Sequence, residues 1–304
     1  MSKTKKIIIT LLSIVAVILI FVGAISAKMY TDVAKSVDKT FAKVDRKDTR
    51  QVDLKKKQPF SVLLMGIDTG ELGRIEQGRS DSMMVATVNP NQKQTTIVSI
   101  PRDTYTEIVG RGTMDKINHA YAFGGVSMSM DTVQKLLDIP IDHYISINMK
   151  GLEELVDAVG GVEVNNTLAF SYEGNDYPVG TLELNGQQAL GYTRMRYDDP
   201  NGDYGRQERQ RKVITAVGKK LASVSTVSKY QTILKSMEDN VRTDLTFDQI
   251  KTIVLDYSSA FDNVVDEQMK GDGVMRDGVS YQDIPASELS RIQTILKKQL
   301  EIDK

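Results

Sequence analysis

Residues 7–27 (IIITLLSIVAVILIFVGAISA) form an uncharged, almost wholly apolar run, and it limits what the rest of the chain can be more than any other feature. At about 1.5 Å per residue, a helix of this length matches the ~30 Å hydrocarbon core of a bilayer. Lys3, Lys5 and Lys6 precede the run, so the cationic bias of cytoplasmic flanks keeps residues 1–6 inside and exports everything after residue 27. The other reading is a cleaved secretory signal, with Ala24-Ile25-Ser26 as a small-x-small site. The run is longer than the usual signal core of about 7–15 residues, which favours an uncleaved, single-pass anchor. Both readings place the main domain outside the cell membrane.

Export narrows the chemistry further. The chain has no Cys, so disulfides, thiolate catalysis and zinc–thiolate sites are excluded. Only His119 and His143 remain as imidazoles, so catalysis must rest on carboxylates, Arg, Lys and hydroxyls. A formal net charge of -1 argues against a protein that coats nucleic acid electrostatically, though not against a local basic site. The length of 304 residues suits one membrane element and one large domain.

Residues 28–58 are polar, end in Lys55-Lys56-Lys57, and are expected as a partly helical juxtamembrane stalk near the lipid headgroups. Residues 59–304 then form the exported domain. It opens with three strand-like runs at 60–67, 82–88 and 94–100, the last two joined by the turn-forming Asn89-Pro90-Asn91-Gln92. Helical patterns follow at 126–137, 150–159, 186–193, 207–224, 227–238, 247–261 and 286–300, with strand-like pieces at 143–147, 264–269 and 279–283. Strands interleaved with helices predict an α/β fold, a mixed central sheet sandwiched by helices. Gly124-Gly125 and Gly160-Gly161 read as turns or helix ends.

If the three opening strands run antiparallel in order, three loaded positions meet at one edge. They are Asp68 after the first strand, Arg79 and Asp81 before the second, and Arg102 and Asp103 after the third. Two carboxylates beside arginines are the parts of a magnesium–pyrophosphate site. Mg²⁺ takes hard oxygens, usually one or two carboxylates plus phosphates and water, and Arg matches phosphate with a fork that stays charged. Surface Asp–Arg pairs are also common with no such role. A second cluster adds weight. Arg194 and Arg196, at i and i+2, point to one side of an extended segment, and Arg206, Arg209 and Gln210 share one face of a helix start, where backbone N–H groups favour anions. Asp203, just before that helix, could cap it or act as a general base.

The motifs Met65-Gly66-Ile67-Asp68, Gly78-Arg79-Ser80-Asp81-Ser82-Met83, Ser99-Ile100-Pro101-Arg102-Asp103-Thr104 and Lys116-Ile117-Asn118-His119-Ala120-Tyr121 occur in that order. Tyr192-Thr193-Arg194-Met195-Arg196-Tyr197 and Arg206-Gln207-Glu208-Arg209-Gln210 complete the set. Together, over residues 59–224, the ordered set resembles the LytR–CpsA–Psr family. The resemblance implies a long apolar pocket for a polyprenyl chain with a basic mouth for its pyrophosphate. It implies that Asp68 and Asp81 bind a divalent cation, Mg²⁺ or Mn²⁺ in its place. Arg79, Arg102, Arg194, Arg196, Arg206, Arg209, Gln210 and Lys116 would hold the pyrophosphate, and Arg79, Asp81 and Asp203 would be catalytic, with Asp203 deprotonating the acceptor.

The implied reaction moves an undecaprenyl-pyrophosphate-linked anionic glycopolymer, of teichoic acid or capsule type, onto peptidoglycan as a phosphodiester, beside membrane lipid and without nucleic acid. The absence of a G-x-x-x-x-G-K-[ST] loop agrees, because the pyrophosphate bond itself carries the driving force. Three rivals share parts of the pattern. A lipid-pyrophosphate phosphohydrolase would use water as acceptor. A regulator of envelope genes, as in the family's older names, conflicts with export. A binding module for wall polymers would need the arginines but not the two aspartates. His119 is expected to hydrogen-bond structurally, and Met128 and Met130 to line core or pocket.

Overall fold

The computed structural model describes residues 27–68, 78–221 and 229–302. The expected tail 1–6 and nearly all of the apolar run 7–27 lie outside these residues, as do the ends of the helices expected at 207–224 and 227–238. Among the described residues no helix is long and apolar enough to cross a membrane.

The three opening runs form β1 (Phe60–Ile67), β2 (Ser80–Asn89) and β3 (Gln94–Ser99). They pair antiparallel in sequence order, Phe60 opposite Val88 and Val88 opposite Thr95. The turn between β2 and β3 closes through Asn89, whose side-chain oxygen accepts from the Gln92 N–H at 2.9 Å. β6 (His143–Asn148) adds parallel to β1, β11 (Val241–Thr243) antiparallel to β6, and β12 (Val264–Gln268) parallel to β3. The resulting order is β11-β6-β1-β2-β3-β12.

Both faces of this mixed sheet are covered, which is why its central strands read as nearly continuous apolar runs. Leu63, Met65, Met83 and Val85 face α2 (His119–Leu137) and α8 (Ala286–Leu300). On the other face, Met84, Ala86 and Ile97 meet Ile214 of α5 (Asp203–Leu221), and Val62 and Val88 meet Tyr257 beyond α7 (Phe247–Asp256). A second core joins α3 (Met149–Val159), α4 (Gly186–Arg194), α5 and α6 (Tyr230–Asn240) to β7 (Val162–Asn166) and β10 (Gly180–Leu184). The domain is thus an α/β sandwich around a mixed sheet. Short hairpins complete it: β4 (Tyr105–Ile108) with β5 (Thr113–Lys116), β8 (Phe170–Tyr172) with β9 (Asn175–Tyr177), and β13 (Asp272–Arg276) with β14 (Val279–Asp283).

Several helix bounds differ from expectation for local reasons. α2 starts seven residues early but is broken at Gly124–Gly125, where φ of 64° at Gly125 interrupts it, so its second piece begins where the apolar period does. α7 stops at Asp256, short of 261, because a separate turn at 258–260 tucks Ala260 against the sheet.

Residues 28–58, expected as a stalk, lie against the domain. A helix over 27–40, here α1, buries Val37, and Phe41 bridges to Thr243 at the edge strand β11. Arg46, whose side chain is buried, donates to Asp131 at 2.6 Å, the Ile141 carbonyl at 2.6 Å and Gln134 at 2.9 Å. Arg50 grips Asp142 with two nitrogens, at 2.9 and 2.6 Å. Polar side chains dock this segment, so a polar sequence gave no sign of packing. Arg46→Ala is expected to cost about 2–3 kcal/mol by orphaning a buried carbonyl and a carboxylate. The denaturation midpoint reads this out; a solvated stalk would show no change.

Candidate active site

The antiparallel order of β1, β2 and β3 brings the three loaded positions together. The Asp68 N–H donates to the Arg79 carbonyl at 3.0 Å, and Ile100 N–H donates to the Met83 carbonyl at 2.9 Å, so the end of β1, the start of β2 and the end of β3 share one edge. β2 begins two residues earlier than expected, at Ser80, and contains a bulge. Gly66 pairs with Ser82 but Ile67 pairs with Ser80, leaving Asp81 as the extra residue. A bulge leaves its extra residue outside the ladder and re-aims its side chain. Both consequences appear here. The Asp81 carbonyl accepts from Arg206 Nη2 at 3.3 Å, and its carboxylate accepts from Arg102 Nη1 at 2.7 Å.

From Asp81 the charges run in two directions. Arg102 Nε lies 3.8 Å from Asp103, which in turn holds Lys116 Nζ at 2.7 Å. Arg206 Nη2 lies 2.7 Å from Asp203, and Gln207 Nε2 donates to the other Asp203 oxygen at 2.8 Å. Asp203 is therefore the first residue of α5, braced by the next turn of its own helix. Burial works against the Arg102 charge, but Asp81, Asp103 and Asp203 outweigh it and hold its guanidinium above the ordinary value. Arg206 is pushed below its ordinary value by burial, with Arg102 and Arg196 adding repulsion that Asp203 and Asp81 only partly offset. An anion placed among Arg102, Arg196 and Arg206 would relieve that repulsion.

Unmet hydrogen-bonding groups concentrate at the same place. Arg102 Nε, Arg206 Nε, Ser80 Oγ and Gln210 Oε1 are buried without a hydrogen-bond partner. Leaving such groups unmet costs about 1–3 kcal/mol each. Arg211 Nε and Arg276 Nε share the condition, so an orphan donor does not by itself mark a site. What distinguishes Arg102 and Arg206 is their convergence on one bulged aspartate.

The other expected pyrophosphate ligands are placed unevenly. Arg79 is exposed beside the bulge. Arg194 and Arg196 do not share an extended segment. α4, started by a capping box between Asn185 and Gln188, runs through Arg194, whose Nη1 lies 4.0 Å from Glu173. Arg196 follows in the loop, its guanidinium 4.6 Å from the centre of the Tyr197 ring, which is 86% exposed. Gln210 is buried and donates weakly, at 3.5 Å, to the Thr193 carbonyl.

Arg209 takes a different part from the expected one. Its guanidinium is buried against Phe170 and donates to the Tyr192 carbonyl at 3.0 Å, the Met195 carbonyl at 2.5 Å and Asp199 at 2.5 Å. It ties the α4–α5 connection to α5 and so places Arg196 and Asp203 on either side. Asp199, which the sequence did not single out, completes the tie by accepting from the Asn201 N–H at 2.7 Å. Gly205 lies directly beneath, and a Cβ there would run into the Asp199 carboxylate. Gly205→Ala is therefore expected to cost about 1–3 kcal/mol by overpacking, read as a lower thermal midpoint.

Behind Asp203 a buried relay also escaped the sequence. Arg211 Nη1 donates to Ser99 Oγ at 2.6 Å and Gln268 Oε1 at 2.7 Å, and Gln268 Nε2 donates to Gln207 Oε1 at 2.8 Å. It braces Asp203 from β3 and β12. His119 accepts a structural place as expected, its Nδ1 2.8 Å from Asp115, and Met130 is core.

A divalent cation fits the donor chemistry. Asp68 and Asp81 offer hard oxygens at adjoining strand ends, and among the described residues no cluster of three or more His, Cys, Asp or Glu is placed to hold a metal. A cation here would take the rest of its shell from phosphate and water, as Mg²⁺ does.

Comparison with known proteins adds an independent line. The model of the LytR_cpsA_psr family matches residues 24–298, a span that includes most of the segment docked ahead of β1. A polyisoprenyl-teichoic acid–peptidoglycan teichoic acid transferase, TagU, of Enterococcus faecalis is 58% identical over 300 residues, 99% of each chain. A crystal structure from Enterococcus faecalis described as a transcriptional regulator superposes with a TM-score of 0.75 at 47% identity, covering 83% of this chain and 91% of that one. TagT bound to LI-WTA superposes with a TM-score of 0.69 at 28% identity, covering 84% and 95%.

Proposed function

The chain belongs to the LytR–CpsA–Psr family, and on that premise we propose that it is a membrane-anchored transferase joining teichoic acid to peptidoglycan from an undecaprenyl pyrophosphate carrier. The apolar run 7–27 would anchor it, with residues 1–6 in the cytoplasm and the domain on the outer face of the membrane. Of the teichoic acid and capsule polymers expected, the name of the 58% identical relative favours the first. The observation that carries the site is the convergence of Arg102 and Arg206 on Asp81 with unmet donors on both guanidiniums.

In this reading Arg102, Arg196 and Arg206 hold the pyrophosphate oxygens, with Arg79 and Arg194 at the rim. Lys116 acts through Asp103, and Gln210 would donate from its Nε2, which bonds only weakly to the Thr193 carbonyl. Asp68 and Asp81 would hold Mg²⁺, which when bound supplies charge neutralisation to the phosphoryl oxygens. A sugar hydroxyl of peptidoglycan, the 6-hydroxyl of N-acetylmuramic acid in the family pattern, attacks the sugar-proximal phosphorus. Its proton passes to Asp203, the new P–O bond forms, and the bond to the bridging oxygen breaks. Undecaprenyl phosphate leaves with the electron pair. Positioning and cationic complementarity to the spread phosphoryl charge are the main sources of rate.

The regulator description attached to one relative needs a basic face for nucleic acid. Here Arg102, Arg206 and Arg209 are engaged with Asp81, Asp203 and Asp199 inside the fold, and the net charge is -1. The test is coupling in vitro, with a lipid-pyrophosphate-linked saccharide, peptidoglycan fragments, and Mg²⁺ present or chelated. Metal-dependent phosphodiester product supports the transferase. Saccharide phosphate released without coupling would make it a phosphohydrolase, and binding without turnover a polymer-binding module.

A further inference from the structure

α7 has no buried residue, although five of its ten positions are Phe, Ile, Val or Leu. One side of it meets the fold, where Ile253 packs beside Val62 and Tyr257. The other side is open: Val254 is 62% exposed and Leu255 70%. Phe247, Lys251, Val254 and Leu255 stand at i, i+4, i+7 and i+8, so they share one face. Adjacent exposed apolar side chains on a folded domain mark a contact surface.

The surroundings say what the contact is. Tyr30, on α1 and three residues past the apolar run 7–27, meets the Phe247 ring edge-on with centroids 5.1 Å apart. Lys251 Nζ lies 5.9 Å from the same Tyr30 ring. At the other end of α7, Lys57 reaches to 3.9 Å from Asp256, which brings the exposed Lys55, Lys56 and Lys57 alongside. The acidic groups in contact with these lysines are Asp53, Asp248 and Asp256, three against four. An apolar helix face with lysines around it and an aromatic beside the anchor is the composition of a surface that lies in a lipid interface.

We infer that the exposed face of α7, with Tyr30 and the 55–57 lysines, docks flat on the outer surface of the bilayer that holds the anchor. The inference rests on the anchored reading above and goes beyond it, since an anchor alone leaves the domain free to face any way. Leu255 and Val254 enter the headgroup–acyl boundary, and the lysines meet anionic headgroups.

The absence of cysteine supplies the test. The full chain, with a single fluorophore on Leu255→Cys or on Met275→Cys of the β13–β14 hairpin, is reconstituted into vesicles of phosphatidylglycerol and phosphatidylcholine. Met275 is 66% exposed and serves as the water-facing comparison. The expected result is a several-fold stronger quenching at 255 than at 275 by nitroxide-bearing lipid, and the reverse order with aqueous iodide. Equal quenching at the two positions overturns the inference while leaving the anchor standing. Protection of position 255 from both quenchers overturns it in favour of a second protein chain on α7. Failure of the chain to float with the vesicles sinks the anchored reading, and this inference with it.

Discussion

Asp81→Ala is expected to lower the coupling of polymer to peptidoglycan by at least about 10²-fold, the scale on which losing one preorganised electrostatic element falls. The fold should barely register the change. Asp81 is a bulged residue at a strand start with a part-exposed carboxylate, and Arg102 retains Asp103 as a neighbour, so the stability cost is about 1 kcal/mol or less. Asp81→Asn keeps the shape and removes the charge, and should lose nearly as much activity. Turnover measured beside thermal midpoints checks both. A variant that remains folded and couples within a few-fold of wild type would remove Asp81 from the chemistry and leave its pair with Arg102 a structural one.

Arg209 should behave in the opposite way. Its side chain and that of Asp199 are only 5% and 3% exposed, so Arg209→Met leaves a carboxylate buried and uncompensated. Breaking one side of a buried pair costs about 3–5 kcal/mol, whereas replacing both partners can be nearly neutral. Arg209→Met is expected to lower the midpoint of unfolding sharply, and Arg209→Met with Asp199→Asn to recover a large part of it. If Arg209 instead gripped pyrophosphate, the single change would spare stability and depress donor binding. The double variant separates the two, because only a structural pair is rescued by removing the second charge.

These contrasts mark where sequence reasoning works and where it stops. The runs at 60–67, 82–88 and 94–100 were legible because strands covered on both faces need apolar residues at nearly every position. Once two of them were joined by Asn89–Gln92, the meeting of Arg79, Asp81 and Arg102 followed from direction alone, while that of Asp68 needed the further assumption of an antiparallel first strand, which β1 meets. The bulge was not legible. It depends on which residue of β2 opposes Ile67, a register that neither period nor turn chemistry states. Arg194 and Arg196 were misplaced because an i, i+2 spacing looks extended until the capping box at Asn185 is seen to carry the helix through 194. Arg209 and Asp199 illustrate a broader gap, since a charge in sequence looks solvated unless its partner, ten residues away, is known. The relay from Ser99 through Arg211 and Gln268 to Gln207 spans three elements and leaves no local pattern.

The docking of residues 41–50 changes how far the enzyme can reach. A free tether of the 31 residues from 28 to 58 would let the domain wander, with an end-to-end span of about 30 Å. Phe41 against Thr243, Arg46 against Asp131 and Arg50 against Asp142 replace that leash with a bracket. β1 then runs away from the bracketed end for eight residues, on the order of 25 Å, before it reaches the edge that holds Asp81. In the anchored reading proposed above, altitude above the lipid becomes a constant of the fold, and it is the acceptor strand of the wall that must come to that level.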